Sequence, residues 1–214
     1  IAGTKEKLPA LQRQIAPYVD DKHILVYCGA TTVHNEDDED FGKRQIDLVA
    51  ELLGNVLNMR VGRFTSQESA QERTQIREAF AEGNALQALV AIKCLDEGVN
   101  IPSIKTAFIL ASSTNPKEYI QRRGRVLRKF PGKDFAIIYD FITLPFPVET
   151  LATQSDAIID STKGLIKREL IRMMDFADIA ENPSITFDLI YDLKHGFHIS
   201  EEELLGEEEN DNVI

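Results

Sequence analysis

Over the first two thirds of the chain, five short runs of apolar residues alternate with polar segments whose apolar residues recur at helical spacing. A short run that is apolar throughout is typical of a strand buried on both faces of a parallel sheet. The predicted strands are 23–28, 59–64, 88–92, 106–111 and 135–139. Helices are predicted over 8–15, over 45–57, over 71–81 and from 115 onward. Because strands and helices alternate, the expected fold class is α/β, a parallel sheet sandwiched by helices with right-handed crossovers.

The final third of the chain has helical patterning and no strand pattern. Apolar residues recur at helical spacing over 150–180, and Pro183 separates this stretch from a second helix predicted over 184–193. Two prolines between 143 and 148 mark the end of the sheet. The predicted domains are a sheet domain over 1–147, a helical extension over 148–196 and an acidic tail over 197–214, with disorder expected from Ser200.

The composition is that of an ordinary globular protein, with 43% hydrophobic residues. No apolar run approaches the roughly 18 residues that would span a bilayer, so no membrane partner is expected. Cys28 and Cys94 each end an apolar run, as small buried side chains do in a reducing compartment, which predicts an intracellular location (cytoplasmic if the source is bacterial). No CxxC or His pair suggests a metal site. Because the chain does not begin with Met, we expect a piece of a longer protein.

The net charge of −11 argues at first against a nucleic-acid partner. Its distribution changes that conclusion. The runs 36–40 and 201–211 together hold twelve acidic residues. Without these twelve negative charges the net charge of −11 would become +1, so the rest of the chain is nearly neutral. Both runs are typical of a solvated loop and tail, and the predicted sheet domain remains compatible with nucleic acid.

A cluster of arginines follows the fourth predicted strand. Four arginines fall within the seven residues 122–128. Asn115 and Pro116 form a helix start, which places Arg122 and Arg125 on one helix face, with Arg128 one turn on. The planar arginine fork is suited to grip phosphate oxygens. A solvated basic face is the alternative for an isolated charge run.

Three segments in order carry a resemblance to a known family. Gln121–Arg128 resembles motif VI of superfamily 2 helicases, Gln/His-Arg-x-Gly-Arg-x-Gly-Arg, with Leu127 in place of the seventh-position glycine. Residues 91–102 resemble motif V, and residues 23–31 resemble motif IV. The chain is thus similar to the C-terminal, second RecA-like domain of superfamily 2 helicases and translocases, of the DEAD/DEAH-like repair or restriction-type group.

The resemblance implies ATP as the cofactor and assigns roles in motif VI. Arg125 and Arg128 would be arginine fingers, which stabilise the charge that develops on the γ-phosphate. Arg122 would engage acidic residues across an interdomain cleft, and Gln121 would reach toward the nucleotide or its attacking water. Motif V would supply three further nucleotide contacts, from Glu97, Gly98 and Asn100, with Asn100 standing where the family has an Asp that bonds the ribose.

The resemblance also implies contacts with the nucleic-acid backbone from loops at the carboxyl ends of strands. The candidates are Gly29, Thr31, Thr65, Ser66 and Lys93. Lys93 stands beside Ile92, which takes the place of the family's phosphate-contacting threonine. A motif VI that begins with Gln, and the Asp96–Gly98 form of motif V, favour DNA over RNA.

No G-x-x-x-x-G-K-[ST] phosphate loop and no DEAD or DEAH box occurs in the chain. We therefore expect that this chain alone does not hydrolyse ATP. Its partner would be an N-terminal RecA-like domain of the same protein, which would hold ATP and Mg²⁺, and the parent protein would be the enzyme. Two alternatives remain open: a non-catalytic regulatory or interaction domain with a helicase-like fold, and an unrelated phosphate-binding α/β enzyme.

Overall fold

The computed structural model describes residues 6–29, 45–65, 67–92, 101–111 and 116–204. The chain divides into two compact units, the first ending at Phe141 and the second beginning at Ile142. None of the helices in these ranges combines the length and apolar character needed to cross a membrane.

The first unit is built on a five-stranded sheet in the order β2-β3-β1-β4-β5, in which every neighbouring pair is parallel. The strands are β1 (Ile24–Cys28), β2 (Val61–Phe64), β3 (Ala88–Ile92), β4 (Thr106–Ile109) and β5 (Ile137–Asp140). The predicted parallel α/β sheet is therefore confirmed. Because all strands run the same way, their carboxyl ends share one edge of the sheet, which we call the carboxyl edge, and the opposite edge is the amino edge.

The described part of the first unit has four α-helices. They are α1 (Lys7–Ile15), α2 (Gln45–Glu51), α3 (Ala70–Glu82) and α4 (Pro116–Val126). The helix predicted over 45–57 is present, but it continues from α2 as a π-helical turn, Leu52–Val56. Ser69 and Glu72 form a reciprocal capping box at the start of α3. Gly83 ends α3 in the left-handed conformation.

Helices cover both faces of the sheet. On one face, Leu11 and Ile15 of α1 and Val49 of α2 join a core with Val90 and Phe108 of the strands. On the other face, the Arg73 guanidinium of α3 lies 5.8 Å from the centre of the Phe64 ring. The step from β4 to β5 runs in the same direction across the sheet as the step from β2 to β3, so a right-handed crossover places α4 on the same face as α3.

The second unit is helical, as predicted. A 3₁₀ segment (Val148–Thr153) leads into α5 (Asp156–Ala177) and α6 (Pro183–Gly196). The sequence placed the start of a tail at residue 197. Phe197, Ile199 and Leu204 are nevertheless buried in the core of this unit, so its packed part continues to at least residue 204. Residues 205–214 lie outside the described ranges.

Candidate functional site

The predicted nucleic-acid contacts follow strands that end at the carboxyl edge. Gly29 follows β1 and Thr65 follows β2, and these two strands flank β3. The structure therefore brings Gly29 and Thr65 to the same edge, one strand apart. The other nucleic-acid candidates and the motif V nucleotide contacts lie outside the described residues: Thr31, Ser66, Lys93, Glu97, Gly98 and Asn100.

The backbone of Gly29 is held by a side chain that the sequence analysis did not single out. Its N–H donates to Oε1 of Gln45 over 2.8 Å. Gln45 is 1% exposed and is the first residue of α2. A buried amide in contact with the first residue beyond β1 fixes where that loop leaves the sheet.

Thr65 is engaged by a neighbouring carboxylate. Its N–H donates to Oε2 of Glu68 over 2.6 Å, and its hydroxyl donates to the same oxygen over 2.9 Å. The spacing is the Thr-x-x-Glu of a capping box, and this is the signal that could have identified Glu68 from the sequence. A carboxylate therefore already occupies the N–H and the hydroxyl of Thr65, a residue predicted to contact the nucleic-acid backbone.

Arg73 of α3 holds the same loop from the other side. Its Nη2 donates to the carbonyl of Thr65 over 2.8 Å, while its guanidinium lies over the Phe64 ring. Thr65 is thus fixed through its N–H, its hydroxyl and its carbonyl. This loop is therefore held in one conformation at the carboxyl edge.

The arginine cluster lies on and just beyond α4. Tyr119 and Val126 are buried and anchor the helix, whereas Gln121 and Arg128 are exposed and Arg125 is half-buried. The side chain of Arg122 lies outside the described residues. The sequence placed Arg128 on the helix, but α4 ends at Val126 and Arg128 follows it, with its N–H 3.4 Å from the carbonyl oxygen of Arg125.

The end of α4 lies at the amino edge and not at the carboxyl edge. Lys133 donates from Nζ to the carbonyl of Arg128 and to that of Pro102, which precedes β4. The Phe130 ring centre is 6.5 Å from that of His23, which precedes β1. The predicted site residues therefore form two groups, with Gly29 and Thr65 at one edge and Arg128 at the other.

Parts of this chain are similar in sequence to named proteins. A DNA 3'-5' translocase, XPB2, of Sulfurisphaera tokodaii is 32% identical over 65 residues, which are 30% of this chain and 15% of the relative. The Dicer-like protein 2-2 of Aspergillus niger is 25% identical over 139 residues, 60% of this chain and 10% of the relative. The chain therefore spans a small part of the length of these relatives.

Among solved structures, the C-terminal part of the Fun30 ATPase domain has a TM-score of 0.49 and 19% identity, over 63% of this chain and 39% of that one. The family described as "Helicase conserved C-terminal domain" matches residues 7–130, which are more than half of the chain. This match covers the whole sheet up to β4, the loop of Thr65 and the arginine helix. The chain belongs to the helicase conserved C-terminal domain family.

Proposed function

We propose that this chain is the second motor domain of a nucleic-acid-dependent ATPase, a DNA helicase or translocase. The observation that carries the proposal is the arginine helix α4 within a domain of this family. Two buried residues, Tyr119 and Val126, anchor the helix, and Gln121, Arg125 and Arg128 are accessible in whole or in part. A rigid support under the accessible arginines suits residues that must meet a phosphate in a fixed geometry.

In this proposal Arg125 and Arg128 stabilise the charge of the phosphoryl group during ATP hydrolysis. A guanidinium supplied in this way increases the rate by roughly 10³–10⁵ in NTPases. ATP would supply the transferred phosphoryl group, and Mg²⁺ would neutralise its charge. Both would be held by the N-terminal RecA-like domain, because this chain has no phosphate loop. The paired donors of each guanidinium fit phosphate oxygens, which is the part of the site that this chain contributes.

The nucleic-acid track would use the loops at the carboxyl edge. Thr65 and Gly29 lie at this edge one strand apart, and phosphate contacts from such loops would position a strand without reading its sequence. Such a track needs no strongly basic domain, in agreement with the near-neutral charge outside the two acidic runs. DNA is proposed because of the form of motifs V and VI, and a similar protein is named a DNA translocase. A nucleic-acid substrate also implies an intracellular location.

The separation of the two groups supports a coupling role. Arg125 lies near the end of α4 and Arg128 just beyond it, close to the amino edge. The track candidates lie at the carboxyl edge of the same sheet. One rigid domain can therefore engage a nucleotide on another domain and a nucleic-acid strand at separate surfaces. A single conformational step of the parent protein would then change both contacts together.

The test is ATPase activity of the full-length parent protein with no nucleic acid, with DNA and with RNA. We expect DNA-stimulated turnover that falls by at least about a hundredfold in Arg125→Ala, with ATP binding retained. Arg13→Ala, at an exposed position on α1, is the matched control and should retain wild-type turnover. Undiminished turnover in Arg125→Ala would remove the finger role. No turnover in the wild type would favour a regulatory or interaction domain, and stronger stimulation by RNA would replace DNA as the substrate.

A further inference from the structure

The last turn of α4 exposes carbonyl groups that have no partner within the helix, as every helix end does. Lys133 supplies partners for the end of this one. Its Nζ donates to the carbonyl of Val126, the last residue of α4, and over 3.0 Å to the carbonyl of Arg128. One ammonium thus bonds the backbone on both sides of Leu127 and closes the end of the arginine helix.

A tight turn aims Lys133 at this point. The N–H of Lys133 donates to the carbonyl of Phe130 over 3.0 Å, which closes a four-residue turn with Pro131 and Gly132 at its centre. Gly132 has φ +72°, a conformation that glycine adopts without strain, and proline restricts the residue before it. The turn therefore returns the backbone toward α4 within five residues of Arg128.

Lys133 also contacts a second segment. Its Nζ lies 3.4 Å from the carbonyl oxygen of Pro102. Pro102 is the last residue of the stretch 91–102 that resembles motif V, and Val126 and Arg128 belong to the stretch that resembles motif VI. The ammonium is thus a direct link between the ends of the two segments to which nucleotide contacts are assigned.

The charge at this position has a cost that apolar residues would avoid. Lys133 is partly buried, and burial lowers the pKa of its ammonium. A leucine or methionine could fill the same space without desolvating a charge. What the apolar residues could not provide is several donors for carbonyls that converge from two segments, so the donors account for the lysine.

We propose that Lys133 is a positioning residue, which fixes the backbone of Arg128 and the end of α4 against Pro102, so that Arg128 is held in a fixed position relative to the segment that precedes β4. The proposal rests on the proposed function of the arginines. It assigns Lys133 no contact with nucleotide or nucleic acid. Loss of its bonds should therefore lower turnover and leave substrate binding almost unchanged.

The first arm of the test measures ATPase kinetics of the full-length parent protein. In Lys133→Met we expect kcat at saturating DNA to fall about tenfold, with KM for ATP changed less than about twofold. Lys133→Arg, which keeps donors and charge, should recover at least about half of the loss. Lys129→Met, a neighbouring exposed lysine, is the matched control and should keep the wild-type kcat. A loss confined to KM, or an unchanged kcat, would overturn the proposal.

The second arm combines Lys133→Met with Arg128→Ala. If Lys133 acts through Arg128, its replacement should have almost no further effect on kcat once Arg128 is absent. A full tenfold loss in both backgrounds would mean that Lys133 acts independently of Arg128, which contradicts the proposal. Melting temperatures of all variants show whether a loss reflects unfolding.

The third arm needs no ATPase activity and separates this proposal from the proposed function. Hydrogen exchange in the full-length protein would follow the amides of Leu127 and Arg128, which bond to the carbonyls of Arg123 and Arg125. In Lys133→Met these amides should exchange at least about tenfold faster, with β3 unchanged. If the wild type has no ATPase turnover with DNA or RNA, the proposed function fails, and hydrogen exchange alone then tests the role of Lys133. Unchanged exchange at Leu127 and Arg128 would show that Lys133 does not hold the helix end.

Discussion

A single carboxylate oxygen of Glu68 accepts both the backbone N–H and the side-chain hydroxyl of Thr65, over 2.6 and 2.9 Å. In the proposed track these two donors belong to a phosphate. In that proposal Glu68 occupies the position of an anion before any nucleic acid binds, and a bound strand would have to displace it.

Replacing Glu68 should strengthen nucleic-acid binding by the parent protein. In Glu68→Gln a neutral amide bonds Thr65 more weakly than the carboxylate does and no longer repels a phosphate. We expect a two- to fivefold lower Kd for single-stranded DNA, which corresponds to a binding free energy more favourable by about 0.5–1 kcal/mol. Fluorescence anisotropy at fixed salt measures it, with Glu78→Gln, exposed on α3, as control. A Kd equal to or higher than wild type would mean that Thr65 does not take a phosphate.

The sequence predicted the sheet well because each strand carries its own signal. The prediction for β3 agrees with Ala88–Ile92 at both ends, since this strand is apolar throughout and lies at the interior of the sheet. The π-helical turn Leu52–Val56 was not predicted, because it is one short, wide turn at the end of α2.

The site was less predictable than the fold, because its contacts depend on loops. Glu68 and Lys133 reach their partners through turns whose geometry the hydrophobic pattern does not determine. The amino-edge position of Arg128 follows from the direction of α4, which a motif alone does not reveal. Both Thr-x-x-Glu and Pro131-Gly132 were nevertheless visible as local signals.

Gly83 should not tolerate a side chain. It has φ +71°, and a Cβ there would lie 2.7 Å from Cδ of Lys22. The lysine side chain can move aside, so the cost comes mainly from the backbone, and Gly83→Ala should lower the free energy of unfolding by about 1–2 kcal/mol. Urea denaturation measures it. Gly54→Ala, in the helical segment where nothing lies within 4 Å, should leave stability unchanged or raise it by about 0.5–1 kcal/mol. Equal effects of the two changes would contradict the backbone argument.

His23 should make the stability of the first unit depend on pH. Burial is the largest effect and lowers the pKa of its imidazole below 6.5. The bond to the Ala81 carbonyl opposes it, and the charges of Lys105 and Lys22 lower the pKa further by smaller amounts. The unfolded state therefore binds the proton more readily, so the free energy of unfolding should decrease as pH falls below about 6.5.

The measurement for His23 is the urea midpoint at several pH values between 5 and 8. His23→Asn keeps a residue that tolerates the φ of +65° and should reduce the dependence on pH. His198→Asn is a matched control, because His198 also has a positive φ, +50°, but is exposed. A pH dependence that persists unchanged in His23→Asn would assign it to other groups.

Lys7 should contribute to stability through the hydrogen bonds that its ammonium donates. It is 7% exposed, and its Nζ donates to the carbonyls of Leu110 and Phe141, which follow β4 and β5 at the carboxyl edge. Lys7→Met keeps most of the apolar stem but leaves buried carbonyls without these donors, which costs about 1–3 kcal/mol. Chemical denaturation followed by far-UV circular dichroism measures the loss.

The control for Lys7 separates the bonds from the general effect of removing a positive charge from this acidic chain. Lys105→Met removes the same charge from an exposed position beside β4 and should change stability by less than about 0.5 kcal/mol. If both variants lose the same stability, net charge and not the carbonyl contacts accounts for it. If Lys7→Met alone is destabilised, the ammonium of Lys7 holds α1 to the residues that follow β4 and β5. The ammonium of Lys133 makes the corresponding contacts with the end of α4 at the amino edge.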